Sequence, residues 1–389
     1  MKKILIISPY FPFPARDGGK VRLYNLIKHL SYNNEIYLLA YIEPNATKNC
    51  IELAKEFCTE VFPVLREEDK RIVKDDIPRC VSFFYTQKMI DELKKVLRII
   101  KPDIIQLDFL IMTQYVKYIK NIPVFYTEHD MSVLDFNQSF HDRDLKDKDR
   151  FFEWKKLISY EKHILDYFNS VIVLTDRDKN LIENLNANIK TTIIPTGVDT
   201  EFYKPTVYSA DEKKNLVFVG HYKHFPNADA IMYFVQNIYS KIVEKKPDIN
   251  LYIVGSGVTK PIENLQNKNV IVTGELEDIR KYLRKPNIFV APVRLGGGIK
   301  GKVLEAMAMG VPIVATKEAV SGIDYANNNF ALVSDNVDCF ANNVIKLVEN
   351  DKLYTELSNN ARKIVEQYYN WTNIAQRLNN FYSSKSNKI

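Results

Sequence analysis

Residues 287–316 read NIFVAPVRLGGGIKGKVLEAMAMGVPIVAT. A short apolar run, NIFVAPV, is followed by three successive glycines, Gly296, Gly297 and Gly298. An apolar run from Val303 to Ala315 then carries a single charge, Glu305. A strand, a glycine loop and a helix in that order form half of a crossover unit, the building block of a parallel sheet covered by helices. The pattern repeats before this stretch. KILIIS precedes the helical GGKVRLYNLIKHLS, and EIYLLAYI, EVFPV, DIIQLDF, PVFYTEH, SVIVLT and TTIIPTG follow with helix-like segments between most of them. After PTGVDTEFYKP, a Pro/Gly-punctuated stretch of weak periodicity, a second series begins with NLVFVGH, INLYIVGSG and NVIVTGE. The expected fold class is therefore α/β, with two domains built on parallel sheets and crossover helices. The first spans 1–195, a linker 196–205 and the second 206–368. The remainder, 369–389, holds an amphipathic segment, NWTNIAQRLNNFY, expected to cross back over the chain.

The glycine loop poses the chemical question. Arg294, Lys300 and Lys302 surround glycines that leave no side chain in front of a helix N-terminus. Unpaired N–H groups, the positive end of the helix dipole and formal cations together suit a diphosphate. The plainer reading is a flexible loop with solvated cations. Glu305, alone in an apolar helix, needs strong partners or it neutralises. The two hydroxyls of a ribose diol would supply them, as would backbone N–H groups in the first helical turn. The second series of strands ends on Gly220, Gly255 and Gly274. In an open parallel sheet ligands bind outside such ends, although any one glycine there can serve simply to turn the chain. VGSGVTK, with Glu275 twenty residues after Gly255, imitates a dinucleotide fingerprint, but Lys260 stands where the third glycine belongs.

Composition bounds the rest. The chain has 389 residues, 46% hydrophobic and 26% charged, with a net charge of +6. That is a soluble globular composition with a mild basic bias that suits an anionic ligand or a membrane surface. No aromatic-basic nucleic-acid motif is present. No apolar run reaches membrane-spanning length. The opening MKKILIISPYFPFP imitates a signal peptide, but its apolar core is short and prolines follow, so Ile4–Ser8 reads as a first strand. Cys50, Cys58, Cys80 and Cys339 have no paired spacing, which fits reduced thiols in the cytoplasm and gives no metal site.

Several stretches resemble a known family. LEAMAMGVPIVAT with the glycine loop before it, IIPTGVDTEFYKP, and FVGHYKHFPNADAIMYFVQNI are similar to family 4 (group 1) retaining glycosyltransferases of the GT-B fold. GELEDIRKYLRKPNIFVAPVRLGGGIKGKVLEAMAMG resembles a subgroup associated with bacterial surface and exopolysaccharide assembly. The resemblance implies two facing Rossmann-like domains, a C-terminal helix returning to the first of them, and a nucleotide-sugar donor held mainly by the second. It implies that Glu305 holds the ribose and that Gly18 and Gly19 approach the donor diphosphate. His129, in TEHD, would lie near the transferred sugar, and Gly274 with Glu275 would cradle the base. Three departures stand out. Gly297 occupies the place of a glutamate that usually contacts the donor sugar. The basic pair after the first strand of the second domain is missing, with His221, Tyr222, Lys223 and His224 there instead, so Arg294 with Lys300 or Lys302 is expected to replace its charge. Thr196 stands where asparagine is common.

The implied chemistry is same-face attack with the departing phosphate helping to accept the acceptor's proton, so electrostatic stabilisation is the main task. No cofactor is expected, and no metal. Asp147 and Asp149 in KDKD imitate a metal-binding pair but belong to a mixed-charge run, Asp142 to Arg150, of the kind that starts a solvated helix. His129 has two open readings, a sugar-positioning group or a polar residue at a strand end. The segment from Phe140 to Phe168 is either a membrane-touching surface or a solvated helix with one packed face. The expected partners are a nucleotide-diphosphate sugar and a glycan or lipid-linked acceptor. The location is cytoplasmic, with peripheral contact with the inner membrane face. A nucleotide-sugar epimerase of the same fold, or a catalytically silent nucleotide-sugar binder, remains an alternative.

Overall fold

The computed structural model describes residues 1–15, 18–44, 48–66, 76–129, 131, 146–205, 213–284, 286–323 and 329–386. The chain divides into two compact units, residues 1–195 with 371–389, and residues 196–370. The segment 196–205 therefore groups with the second unit.

Among the described residues the first unit holds seven strands: β1 Lys3–Ser8, β2 Glu35–Ile42, β3 Glu60–Leu65, β4 Ile104–Asp108, β5 Val124–Thr127, β6 Ser170–Val173 and β7 Thr191–Ile193. They form one sheet in the order β3-β2-β1-β4-β5-β6-β7, and every pairing is parallel. Its helices are α1 Gly18–Leu30, α2 Lys48–Lys55, α3 Arg79–Ser82, α4 Gln87–Ile100, α5 Asp147–Ile164 and α6 Asp176–Leu185. Parallel strands buried on both faces need continuous apolar runs, and β1 shows how the run is divided. Leu5 and Ile7 enter the core on one face, while Ile4 and Ile6 enter the core on the other.

The second unit holds β8 Leu216–Val219, β9 Leu251–Val254, β10 Val270–Gly274, β11 Ile288–Ala291, β12 Ile313–Ala315 and β13 Ala331–Val333. These form a parallel sheet in the order β10-β9-β8-β11-β12-β13. Its helices are α7 Phe225–Phe234, α8 Ser240–Lys245, α9 Lys260–Glu263, α10 Gly301–Ala308, α11 Val337–Glu349 and α12 Asp351–Ile364. The chain then returns to the first unit as α13, Trp371–Ser386. There Trp371, Ile374, Leu378 and Tyr382 pack with Leu23, Leu26, Ile27 and Leu30 of α1.

One expectation about this unit is corrected. The apolar run from Val303 to Ala315 is not one helix. The helix α10 stops at Ala308, Gly310 takes φ +65°, Pro312 follows, and Ile313–Ala315 is strand β12. A short buried helix and a buried strand are both apolar all round, so periodicity does not separate them. The glycine in a left-handed conformation and the proline end the helix.

Candidate functional site

In the second sheet β8 lies beside β11, although the chain leaves β8 towards β9 and β11 towards β12. This is the topological switch point, where a crevice opens outside the carboxyl ends of the strands. Two loops border it, 220–224 after β8 and 292–300 after β11. The second loop also approaches the start of α7, since a Cβ built on Gly296 would lie 3.8 Å from Pro226 Cγ.

Glu305 sits in the second turn of α10. Its Oε2 is buried and has no hydrogen bond aligned on it. Lys302 Nζ lies 3.2 Å from Oε2 and donates to Oε1 at 3.4 Å. The Tyr203 hydroxyl is near enough to favour the ionised carboxylate. Burial raises the Glu305 pKa, and Lys302 and Tyr203 offset this only in part. A carboxylate with few donors, raised in pKa and placed at a switch point, is the arrangement expected of a group awaiting a ligand.

The cations of the loop are engaged. Arg294 donates from Nη2 and Nε to the two carboxylate oxygens of Asp229 on α7, at 2.7 and 3.1 Å, and its guanidinium lies 3.9 Å above the Tyr233 ring. Lys300 Nζ donates to the Gly297 and Gly298 carbonyls, both at 3.0 Å, and to Glu318 at 3.1 Å. It holds the glycine loop in shape from within. Lys223, after β8, is exposed and has no ion-pair partner among the described residues. Its neighbour His221 is fixed by Ser256 Oγ at 2.9 Å from Nδ1.

The strand-end glycines separate into two kinds. Gly255 has φ +133°, and a Cβ there would stand 1.9 Å from the Gly220 carbonyl oxygen, so the backbone itself demands glycine. Gly274 has φ +70° with open space where its side chain would be, and exposed Glu275 follows it. Gly220 lies against Asn227, whose Cβ would be 3.1 Å from an added Cβ.

In the first unit, His129 follows β5. Its ring stacks on Phe109 at 3.8 Å with 7° between the planes, and its Nε2 is 3.4 Å from Asp108 Oδ1. Asp108 is fully buried. Burial raises its pKa, but His129 and then Arg22 and Gln106 outweigh this and hold it below the ordinary value. Gly18 opens the first turn of α1 to empty space. A side chain on Gly19 would meet Phe109 Cζ at 2.7 Å. Asp147 and Asp149 lie in the first turn of α5, where Asp147 is 94% exposed. They are at a helix start, not at a strand end. Of the mixed-charge run, Asp142, Arg143 and Asp144 lie outside the described residues.

Comparison with known proteins decides the family. Residues 16–202 match the family described as Glycosyltransferase Family 4, and residues 213–350 match Glycosyl transferases group 1. The chain belongs to the group 1, family 4 glycosyltransferases. An uncharacterized glycosyltransferase of Haemophilus influenzae is 26% identical over 51% of this chain and 57% of its own length. An uncharacterized 44.6 kDa protein in the cps region of Klebsiella pneumoniae is 20% identical over 95% of this chain and 97% of its own. The UDP-Gal:alpha-D-GlcNAc-diphosphoundecaprenol alpha-1,3-galactosyltransferase of Escherichia coli is 25% identical over 54% and 59%. The chain thus spans somewhat over half of the first and third of these relatives and nearly all of the second. Among solved structures, sucrose-phosphate synthase of Thermosynechococcus elongatus superposes with a TM-score of 0.75 at 18% identity, covering 99% of both chains. Anabaena HepE in complex with UDP-glucose gives 0.65 at 14%, covering 99% of this chain and 100% of that one. These likenesses show the fold, GT-B.

Reading the sequence of this glycosyltransferase misses Tyr203, Asp229, Tyr233 and Glu318 in the second unit, and Asp108 and Phe109 in the first. Each acts on a residue far along the chain, as Asp229 does on Arg294 and Glu318 on Lys300. Tyr203 stands inside PTGVDTEFYKP, Asp108 and Phe109 inside DIIQLDF, and Asp229 and Tyr233 inside FVGHYKHFPNADAIMYFVQNI, but there they read as linker, strand end and helix face.

Proposed function

We propose that this glycosyltransferase takes its sugar from a nucleoside-diphosphate donor, a UDP-sugar, and transfers it with retention to a glycan or lipid-linked acceptor in bacterial surface polysaccharide assembly. The observation that carries the reading is Glu305. Its buried Oε2 lacks an aligned donor, and its ion-pair partner Lys302 is 46% exposed on a long stem that can swing aside. Two ribose hydroxyls would supply the missing donors. The Gly296–Gly298 loop at the N-terminus of α10 is placed one helical turn earlier, where the diphosphate of the same ligand would lie. Gly274 and Glu275 are assigned to the base and Gly18 to the diphosphate. His129 is assigned to the transferred sugar. The helix dipole, the loop N–H groups and Lys223, which has no ion pair among the described residues, offer the positive charge that a metal would otherwise bring to the leaving diphosphate. The UDP-sugar complex of HepE and the lipid-diphosphate acceptor in the name of the Escherichia coli relative support the two substrate classes. On the acceptor side, Phe151 and Phe152 are 39% and 53% exposed on α5, and Lys155 lies 4.7 Å from the Phe151 ring centre. Such a surface fits the headgroup region of an anionic membrane.

The test is a thermal-shift and calorimetric screen of nucleotide sugars, followed by turnover with and without excess chelator. Glu305→Gln is expected to keep the fold and weaken the best donor by about 1.5–3 kcal/mol, the worth of a charge-assisted hydrogen bond. Activity is expected to survive the chelator. Unchanged donor affinity in the variant removes Glu305 from the site. Activity lost to chelator and restored by magnesium or manganese overturns the account of the leaving group.

A further inference from the structure

We propose that Asp108 and Phe109, the last residue of β4 and the one after it, clamp His129 by edge and by face, and that Gln106 and Tyr382 lock this clamp to the C-terminal helix α13. The inference deepens the reading of His129 given above and rests on it.

The face of the imidazole is fixed by Phe109, 3.8 Å away and tilted by 7°. Phe109 itself has φ +68°, a left-handed conformation that a bulky residue rarely adopts. Such backbone persists only where its surroundings over-determine it, and it concentrates at functional sites. Two surroundings are visible. Tyr10 meets the Phe109 ring edge-on at 5.6 Å, and Gly19 of α1 leaves out the side chain that would strike Phe109 Cζ at 2.7 Å. Gly19 is thus glycine in order to seat Phe109, a cause separate from any approach of a donor.

The edge of the imidazole is set by Asp108, whose Oδ1 lies 3.4 Å from Nε2. That oxygen also accepts from Gln106 Nε2 at 2.8 Å. Gln106 and Asp108 are two residues apart on β4 and so share a face of the sheet. Gln106 Oε1 in turn accepts from the Tyr382 hydroxyl on α13. Arg22 of α1 is fully buried, donates to the Ile194 carbonyl at 2.7 Å, and acts electrostatically on both Asp108 and Tyr382. The anionic Asp108 is therefore held in place by a buried cation, an amide and, through that amide, a helix from the far end of the chain. Which imidazole nitrogen carries the proton is decided by what the ring faces. The buried Asp108 carboxylate lies 3.4 Å from Nε2 without a hydrogen bond aligned on it, and its negative charge favours a proton on that nitrogen. Asp108, Phe109 and Tyr382 are positioning residues, and the group they position is His129.

The experiment uses the full chain with 15N-labelled histidine. The chain has six histidines, and the His129 signals are assigned by their loss in His129→Gln. Donor hydrolysis is followed with UDP-glucose, UDP-galactose and UDP-N-acetylglucosamine. In the wild type His129 is expected to hold its proton on Nε2. Asp108→Asn should mix the tautomers and lower kcat about 10- to 100-fold with little change in donor KM, the scale of loss from a misplaced reacting group. Tyr382→Phe should move the same signals in the same direction by less. Asp108→Asn leaves Arg22 buried and uncompensated, so the pair Asp108→Asn with Arg22→Met serves if the single variant does not fold. If neither folds, Tyr382→Phe and Phe109→Leu decide. Unchanged His129 nitrogen signals in the folded variants overturn the clamp. If the signals respond while His129→Ala turns over donor like wild type, the clamp stands and the assignment of His129 to the sugar fails.

Discussion

Arg294 carries a full positive charge in the sequence, yet in the folded second unit that charge is met by both oxygens of Asp229 and by the face of Tyr233. To reach a diphosphate it must leave a bidentate partner, whereas Lys223 has no ion pair among the described residues to leave. The two residues should therefore respond differently to neutralisation. Lys223→Gln is expected to weaken UDP several-fold while leaving uridine affinity unchanged. Arg294→Gln should lower stability by about 0.5–1 kcal/mol, the usual range of a partly exposed pair, with a smaller effect on UDP. Calorimetry with UDP and uridine, paired with urea denaturation of each variant, measures both. A loss of UDP affinity in Arg294→Gln larger than in Lys223→Gln returns the leading role to the arginine. The cations themselves were readable from sequence because three of them flank one glycine run. Their partners were not, because Asp229 and Glu318 come to them only through the order of the strands.

At the scale of an element, α5 holds the least expected group in the first unit. Glu161 is fully buried, and neither carboxylate oxygen has a hydrogen-bond partner among the described residues. Burial pushes its pKa up to about 8. The folded state then binds a proton that the unfolded state has already released between the ordinary value of 4.5 and about 8. Stability contributed by the protonated form is complete below 4.5, declines as pH rises through this window, and is gone above about 8, at a slope of about 1.4 kcal/mol per pH unit. Glu161→Gln should therefore have little effect near pH 5 and stabilise the first unit increasingly up to pH 9. The chain's two tryptophans, Trp154 and Trp371, both lie in that unit, so their fluorescence during urea titration reports on it alone. A pH-independent difference between variant and wild type would show that Glu161 is ionised in the fold at neutral pH. In sequence Glu161 is one more charge in ISYEKH and looks like a solvated position. Only the packing of α5 puts it inside.

For the whole molecule the decisive feature is that the chain leaves the first unit at residue 195 and returns to it at 371. α13 brings Trp371, Ile374, Leu378 and Tyr382 into a core built mainly from α1 and the first sheet. Fully burying side chains of this kind is worth about 1.5–3 kcal/mol each, so their joint loss approaches the 5–15 kcal/mol that holds a typical domain together. A chain ending at Asn370 should lose the first unit, seen as rapid proteolysis of residues 1–195, while a resistant fragment from 196–370 persists. Equal resistance of the two regions in the truncated chain would show that α13 is dispensable. A conservative check is Tyr382→Phe, which keeps the ring in the core and should leave the proteolytic pattern unchanged.

The sequence alone determined the parts of this glycosyltransferase that depend on local pattern. Short apolar runs alternating with helical periods define two parallel sheets, because parallel strands are buried on both faces. The glycine loop before α10 and the lone Glu305 single out the site proposed for the second unit, because glycine and an isolated charge in an apolar run are anomalies visible in the sequence itself. Tertiary structure decided everything that depends on partners distant in the chain. It split one apolar run into α10 and β12 and neutralised Arg294 and Lys300 from other elements. It gave Gly255 and Gly19 backbone and ring contacts as their causes, and joined His129 to Asp108, Gln106 and Tyr382 across 276 residues between the last two. Hydrogen bonds and ring contacts act over a few ångströms of space. The sequence records which groups are available to make them, and the strand order chooses which ones meet.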